Sequence, residues 1–151
     1  MVYLDTSVLA AYYCPEAMSA IAEKTILRCK RPTISSLVEV EFHSAVARKV
    51  REGTLSVADA TRIIAQLHLH IESGCYERLP IQEMHFVMAR DWIGTFLAPL
   101  RTLDALHLAV CFAANASFLT ADASLAKAAQ RFGVQVELLG SHPPPPTLPI
   151  T

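Results

Sequence analysis

The stretch Thr102-Leu103-Asp104-Ala105-Leu106-His107-Leu108-Ala109-Val110-Cys111-Phe112 is apolar on nearly every side of a helix, and helices of that kind are buried. It carries one acid, Asp104, in its first turn. The helix dipole favours an acid there by about 0.3–1 kcal/mol. That is small beside the several kcal/mol that an unpaired buried charge costs. Asp104 therefore needs a partner. Arg101, one turn earlier, offers an ordinary ion pair, and a metal ion is the sharper alternative. His107, one turn later, reads as a histidine satisfied in the core or supporting the site rather than as a ligand.

Outward from this helix, short β-type runs alternate with longer helical ones. Val2 to Leu4 predicts a strand, Ser19 to Cys29 a helix, and Thr33 to Ser35 a strand after a break at Pro32. Leu37 to Arg51 has Val38, Phe42, Ala45 and Val46 on one helical face, and Gly53 stops it. Ser56 and Asp59 resemble a capping box opening a helix to about Ile71, which Gly74 ends. A weak strand at Tyr76 to Leu79 precedes Pro80, and a helix is expected from Gln82 to about Leu97. The helix at Thr102 to Asn115 follows, then a strand at Ser117 to Thr120, a helix from Asp122 to Phe132 and a last strand at Val134 to Leu139. The alternation predicts an α/β fold of one domain, with a central, mostly parallel β-sheet flanked by helices. The domain is expected over residues 1–139. The tail, 140–151, contains the tetraproline Pro143 to Pro146 and is expected to be extended, mobile and outside the core.

The chain has 151 residues, enough for a domain with a real core, and a formal net charge of −1. The net charge therefore gives no basis for a global electrostatic attraction to nucleic acid or to an anionic membrane, though local patches remain open. Cys14, Cys29, Cys75 and Cys111 are scattered without a C-x-x-C pair, which argues against a zinc ribbon or a thioredoxin-type site. No basic-then-apolar leader precedes Val2, and no apolar run reaches the roughly 18–20 residues that span a bilayer. The expectation is a cytoplasmic protein with reduced thiols and no membrane partner.

Three further acids share the position of Asp104, inside or at the end of an apolar run. Asp5 closes the first strand, Glu41 interrupts the Val38/Phe42 helix, and Asp122 follows Phe118-Leu119-Thr120. Four such carboxylates gathered together would repel one another unless positive charge stood between them, and a hard divalent ion is one answer. In parallel sheets, sites form at the carboxyl ends of strands, where Asp5 and Asp122 fall. Asp5-Thr6-Ser7 offers a carboxylate with two hydroxyls to hold it, and Thr120 offers a third. Each of these acids has an ordinary alternative. Asp5 and Asp122 would serve as helix N-caps, and Glu41 as a surface glutamate. Glu39 points about 200° away from Glu41 around their helix, so Glu41, beside the core face, is the acid that reaches a crevice. A phosphatase of the aspartyl-phosphate class would want a second Asp two residues after Asp5, where Ser7 stands.

The joint order of these segments resembles that of PIN-domain ribonucleases, and most closely the VapC-type toxins of bacterial toxin–antitoxin pairs. The segments that carry the resemblance are Val2-Tyr3-Leu4-Asp5-Thr6-Ser7, Ile34-Ser35-Ser36 through Glu41-Phe42, Arg101 through Ala109, and Leu119-Thr120-Ala121-Asp122. The Leu-Asp-Ala-Leu-His-Leu-Ala run is the most specific. The resemblance implies a PIN-like fold and hydrolysis of RNA with Mg²⁺ or Mn²⁺. It also implies a cognate antitoxin that blocks the site, and a homodimer. Asp5, Glu41, Asp104 and Asp122 are the implied catalytic and metal-holding residues, with Asp5 and Asp104 at the centre. Thr6, Ser7 and Thr120 would support them. Oxygen-only donors are those Mg²⁺ prefers.

For RNA binding there are two basic clusters, Arg28-Lys30-Arg31 and Arg48-Lys49-Arg51. Each has the ordinary alternative of a solvated face. Arg48 lies about two turns after Glu41, on roughly the same side, and Arg48 and Lys49 are the candidate phosphate contacts. Other functions compatible with the chain are an inactive PIN-fold binding module and another metal-dependent nuclease or phosphatase. A structural protein in which Arg101 neutralises Asp104 and the other acids cap helices is also compatible.

Overall fold

The computed structural model describes residues 1–141. The expected tail lies outside the described residues from 142 onward. The chain runs β1 (Val2–Leu4), α1 (Thr6–Tyr13), α2 (Ser19–Arg28), β2 (Pro32–Ser35), α3 (Ser36–Arg51), α4 (Val57–Glu72) and β3 (Glu77–Leu79). It continues through α5 (Glu83–Gly94), α6 (Thr102–Ala113), β4 (Ser117–Thr120), α7 (Ala123–Arg131) and β5 (Val136–Leu138). The five strands form one sheet in the order β3-β2-β1-β4-β5, and every pairing is parallel. The α/β expectation therefore holds, and the sheet is wholly parallel.

Parallel strands connected by helices are covered on both faces, and the core reflects this. Tyr3 and Leu4 in β1, Ile34 in β2 and Phe118 and Leu119 in β4 have no exposed surface, although neighbours in a strand point to opposite faces. On one helix, Val38, Phe42 and Val46 supply the buried stripe of α3 that periodicity predicts. In α6 every residue from Ala105 to Cys111 is buried, as its continuous apolar character requires. Gly53 and Gly74 follow α3 and α4 with φ of 74° each, the left-handed conformation that ends helices at glycine.

Two differences from the sequence expectation have clear causes. The helix α1 has no counterpart among the predicted elements, because Val8, Leu9, Ala10, Ala11, Tyr12 and Tyr13 form an apolar run without the 3.6-residue alternation that periodicity detects. Pro32 does not break the chain but opens β2, opposite Val2. Proline is tolerated at the first position of a strand, and here the Val2 N–H is satisfied by the carbonyl of the preceding residue, Arg31, at 3.0 Å.

The strand order sets where a site can form. From β1 the chain builds outward to β2 and β3, then returns to place β4 on the other side of β1. The crevice beyond the carboxyl ends of β1 and β4 is thus a topological switch point, the usual location of sites in open parallel sheets. Asp5 follows β1 directly, and Asp122 follows β4.

Candidate functional site

Asp5 occupies the N-cap position of α1, yet its side chain makes no capping bond. Its Oδ2 instead accepts hydrogen bonds from two hydroxyls, Ser7 Oγ and Thr120 Oγ1, the latter at 2.8 Å. Each of these hydroxyls also accepts a backbone N–H, Ser7 from Ala121 at 2.9 Å and Thr120 from Asp122 at 3.0 Å. A hydroxyl has one proton to give, and in both cases it goes to Asp5. Asp5 is 6% exposed, and its carboxylate is held from the first turn of α1 and the end of β4. Its Oδ1 accepts no hydrogen bond among the described residues. The capping alternative for Asp5 fails on this geometry.

Glu41 lies across the crevice on α3. Its Oε2 accepts from Thr6 Oγ1 at 2.8 Å and from His107 Nε2. Behind His107 a buried polar chain continues, with Tyr3 Oη 2.9 Å from His107 Nδ1 and 2.6 Å from Ser35 Oγ. An ionised Glu41 accepts only, so Nε2 carries the proton it donates. With neutral His107, Nδ1 then accepts from the Tyr3 hydroxyl, which accepts in turn from Ser35. Burial drives the Tyr3 phenol far above its ordinary range, which keeps that donor protonated. Burial also pushes the Glu41 carboxyl upward, but His107, Thr6 and the positive field of Arg101 outweigh it and hold the group below its ordinary value. His107 is 1% exposed and fully satisfied, as expected. Tyr3 and Ser35 are participants that the sequence did not single out, since nothing in a short strand marks a tyrosine as polar support.

Asp104 is half-buried in the first turn of α6. Its Oδ2 pairs with Arg101 Nε at 2.9 Å, the ordinary partner considered above. The same guanidinium reaches further, with Nη2 3.9 Å from Asp122 Oδ2. Asp122 divides its two oxygens. Oδ1 caps α7 by accepting from Ser124 N at 2.8 Å and Leu125 N at 3.0 Å, while Oδ2 faces Arg101. The cap and the crevice are thus simultaneous roles of one side chain. Glu39 is not simply solvated, because it pairs with Arg78 of β3.

Polar contacts link three of the acids and bring the fourth beside them. Contacts run from Asp5 through Thr120 to Asp122 and from Asp122 through Arg101 to Asp104, while Glu41 is tied to Thr6, which follows Asp5 in the chain. Among the described residues, no three carboxylate, histidine or cysteine side chains stand close enough together to hold a metal ion as they are.

The two basic clusters separate by position. Arg28, Lys30 and Arg31 precede β2, at the amino ends of the strands and away from the acids, and Arg31 is tied to Glu77 at 2.7 Å. Arg48 and Arg51 line a groove of about 460 Å³ together with Glu41, Thr6, Val40 and Leu103. Neither arginine has an ion-pair partner among the described residues. Lys49 is engaged by Glu16 at 2.6 Å, so its ammonium is turned to the α1–α2 connection. Among the described residues, no helix is long and apolar enough to cross a membrane.

Solved structures share this architecture. The chain is similar to FitAB bound to an IR36 DNA fragment, with a TM-score of 0.74, 16% identity and coverage of 96% of this chain and 99% of that one. It is similar to VapC20 of Mycobacterium tuberculosis, a Sarcin-Ricin loop cleaving toxin, with a TM-score of 0.67, 17% identity and coverage of 85% and 95%. DNA-bound VapBC from Salmonella typhimurium gives a TM-score of 0.64, 17% identity and coverage of 91% and 97%. These likenesses are of fold. No match is found among curated proteins. The PIN-domain family model matches residues 2–131, and the chain belongs to the PIN-domain family.

Proposed function

We propose that this protein is a metal-dependent endoribonuclease, the toxin component of a VapC-type toxin–antitoxin pair, and that it hydrolyses RNA phosphodiester bonds. The observation that carries the proposal is that Asp5, Asp122 and Asp104 are linked through Thr120 and Arg101, with Glu41 held by Thr6 beside Asp5, at the switch crevice of a PIN domain. Asp5 and Glu41 are each fixed by two donors there. The named relatives support the substrate and the partner. One is a toxin that cleaves the Sarcin-Ricin loop, and others are VapBC assemblies. A cognate antitoxin, and a second copy of the chain, are the corresponding partners of this protein.

The donor set fits a hard divalent cation, Mg²⁺ or Mn²⁺, because it consists of carboxylate oxygens alone. The place of positive charge is already marked by the Arg101 guanidinium, which stands in between Asp104 and Asp122. Asp5 through Oδ1, Asp104, Glu41 and the outward oxygen of Asp122 would hold the ion. Such an ion lowers the pKa of a water and neutralises charge developing on the phosphate. Ser7 and Thr120 hold and aim Asp5, and Thr6 and His107 hold Glu41 and favour its ionised form. Arg48 and Arg51 line the groove along which a phosphate backbone would lie.

The test is cleavage of a labelled structured RNA by purified protein in Mg²⁺, in Mn²⁺ and in EDTA, with Asp5→Asn alongside. Cleavage should require the cation, and the variant should lose about 100-fold or more in rate, the scale on which preorganised charge contributes to catalysis. Cleavage in EDTA, or parental activity in the variant, would overturn the proposal.

A further inference from the structure

Among the described residues, Arg101 is the one arginine or lysine paired with these acids, and neither a cap nor the helix dipole explains it. It occupies the N-cap position of α6 without a capping bond. A positive side chain at a helix amino terminus is opposed by the dipole. Its side chain is 81% exposed, so core packing does not hold it. What it touches is Asp104 at 2.9 Å and Asp122 at 3.9 Å. Its field also acts on Glu41.

Such a pairing is easily given up. Exposed ion pairs contribute little to stability, because water solvates the freed groups and the long side chain regains its rotamers. Asp104 is the opposite case. Its side chain is only 18% exposed, and it has no hydrogen-bond donor but Arg101 among the described residues. Removing Arg101 thus leaves a carboxylate that demands another cation, while Arg101 itself demands nothing of the fold. Among the described residues, no trio of ligating side chains in the crevice stands close enough for a metal ion as it is, and Arg101 takes up Asp104 and Asp122. The guanidinium is also the right chemistry for a phosphate, which it binds through paired N–H donors in a planar fork.

We propose that Arg101 is a displaceable internal counter-ion. It holds Asp104 and Asp122 when no divalent cation is bound, yields them when one enters, and then contacts the phosphate of the RNA from the mouth of the crevice. This rests on the nuclease function proposed above. It makes Arg101 a competitor of the metal and a helper of the substrate at once, so its removal should move two measurements in opposite directions. A merely structural arginine would weaken both.

The experiment compares the parent with Arg101→Gln and Arg101→Lys. Mn²⁺ binding is read directly from the free-ion signal in electron paramagnetic resonance, without RNA. RNA cleavage is measured separately at saturating Mn²⁺. Arg101→Gln should bind Mn²⁺ about tenfold more tightly, since both the competing cation and its repulsion are gone, and should cleave at least about tenfold more slowly. Arg101→Lys keeps the charge but cannot span two carboxylates, and should fall between the two in Mn²⁺ affinity. Affinity no tighter than the parent's in Arg101→Gln, or cleavage as fast as the parent's, would overturn the role of Arg101. A parent that neither binds Mn²⁺ nor cleaves RNA would overturn the nuclease function together with it, which keeps the two failures distinct.

Discussion

Glu41 shows at the residue scale how a charge is kept at the edge of a core. It is half-buried, and burial alone would favour its neutral form. His107 and Thr6 aim their protons at one of its oxygens, and Arg101 adds a favourable field, with the net result that its folded pKa lies below the ordinary glutamate value. A depressed folded pKa stabilises the fold above the unfolded pKa, about 4.3 for glutamate, and that contribution is lost as pH falls through the lower folded value. The expected outcome is therefore specific to acid. In EDTA, the stability advantage of the parent over Glu41→Gln should be constant from neutral pH down to about pH 5 and should shrink as pH falls below about 4. Urea-denaturation midpoints of both proteins across this range provide the check. A difference that stays flat, or that grows in acid, would mean the donors around Glu41 do not stabilise its ionised form.

At the scale of single elements, Asp5 and Asp122 stand at the same kind of position, the first residue before a helix, and act differently. Asp122 caps α7 with one oxygen, whereas Asp5 leaves α1 uncapped in favour of Ser7 and Thr120. The two roles of Asp122 can be separated because asparagine caps about as well as aspartate, while alanine costs about 1 kcal/mol at such a site. Asp122→Asn should melt near the parent and Asp122→Ala should be less stable by about that amount, measured in EDTA. Both should cleave RNA more slowly, since both lack the charge on the oxygen that faces Arg101. If Asp122→Asn cleaves as the parent does, Asp122 is a cap and nothing more. The sequence made much of this legible. Strand ends, helix stops and the choice of Glu41 over Glu39 all follow from local periodicity and turn chemistry. The bond from Thr120 to Asp5 follows less directly, but a hydroxyl at a neighbouring strand end was the visible clue. What stayed hidden depends on which elements are neighbours. The approach of Arg101 to Asp122 requires the starts of α6 and α7 to meet, and the buried Ser35–Tyr3–His107 chain requires α6 to pack against neighbouring β1 and β2. No local pattern encodes either contact. The helix α1 stayed hidden for a different reason, because an apolar run without alternation carries no period to read.

At the scale of the whole molecule, the site is a property of strand order. Asp5, Glu41, Asp104 and Asp122 span more than a hundred positions of sequence, from residue 5 to residue 122. They come to one side of the fold because β4 returns to the far side of β1 and opens a crevice at the carboxyl edge of the sheet. An ion held there would be shared by side chains of the β1–α1 connection, α3, α6 and the β4–α7 connection, and would therefore couple to unfolding of the whole domain rather than to one helix. A ligand that binds only the folded state adds about 2.7 kcal/mol at a concentration 100 times its dissociation constant. For a domain of this size, each kcal/mol corresponds to roughly 2–4 °C. Saturating Mn²⁺ should therefore raise the melting temperature of the parent by about 5–11 °C, reversibly on adding EDTA. The double variant Asp5→Asn/Asp104→Asn should remain folded and show no such rise. A parent indifferent to Mn²⁺ would mean that the acids are satisfied by Ser7, Thr120, His107 and Arg101 alone. A double variant stabilised as much as the parent would place the ion elsewhere on the molecule. Because the shift is read without RNA, it tests the convergence of the acids separately from any chemistry they perform.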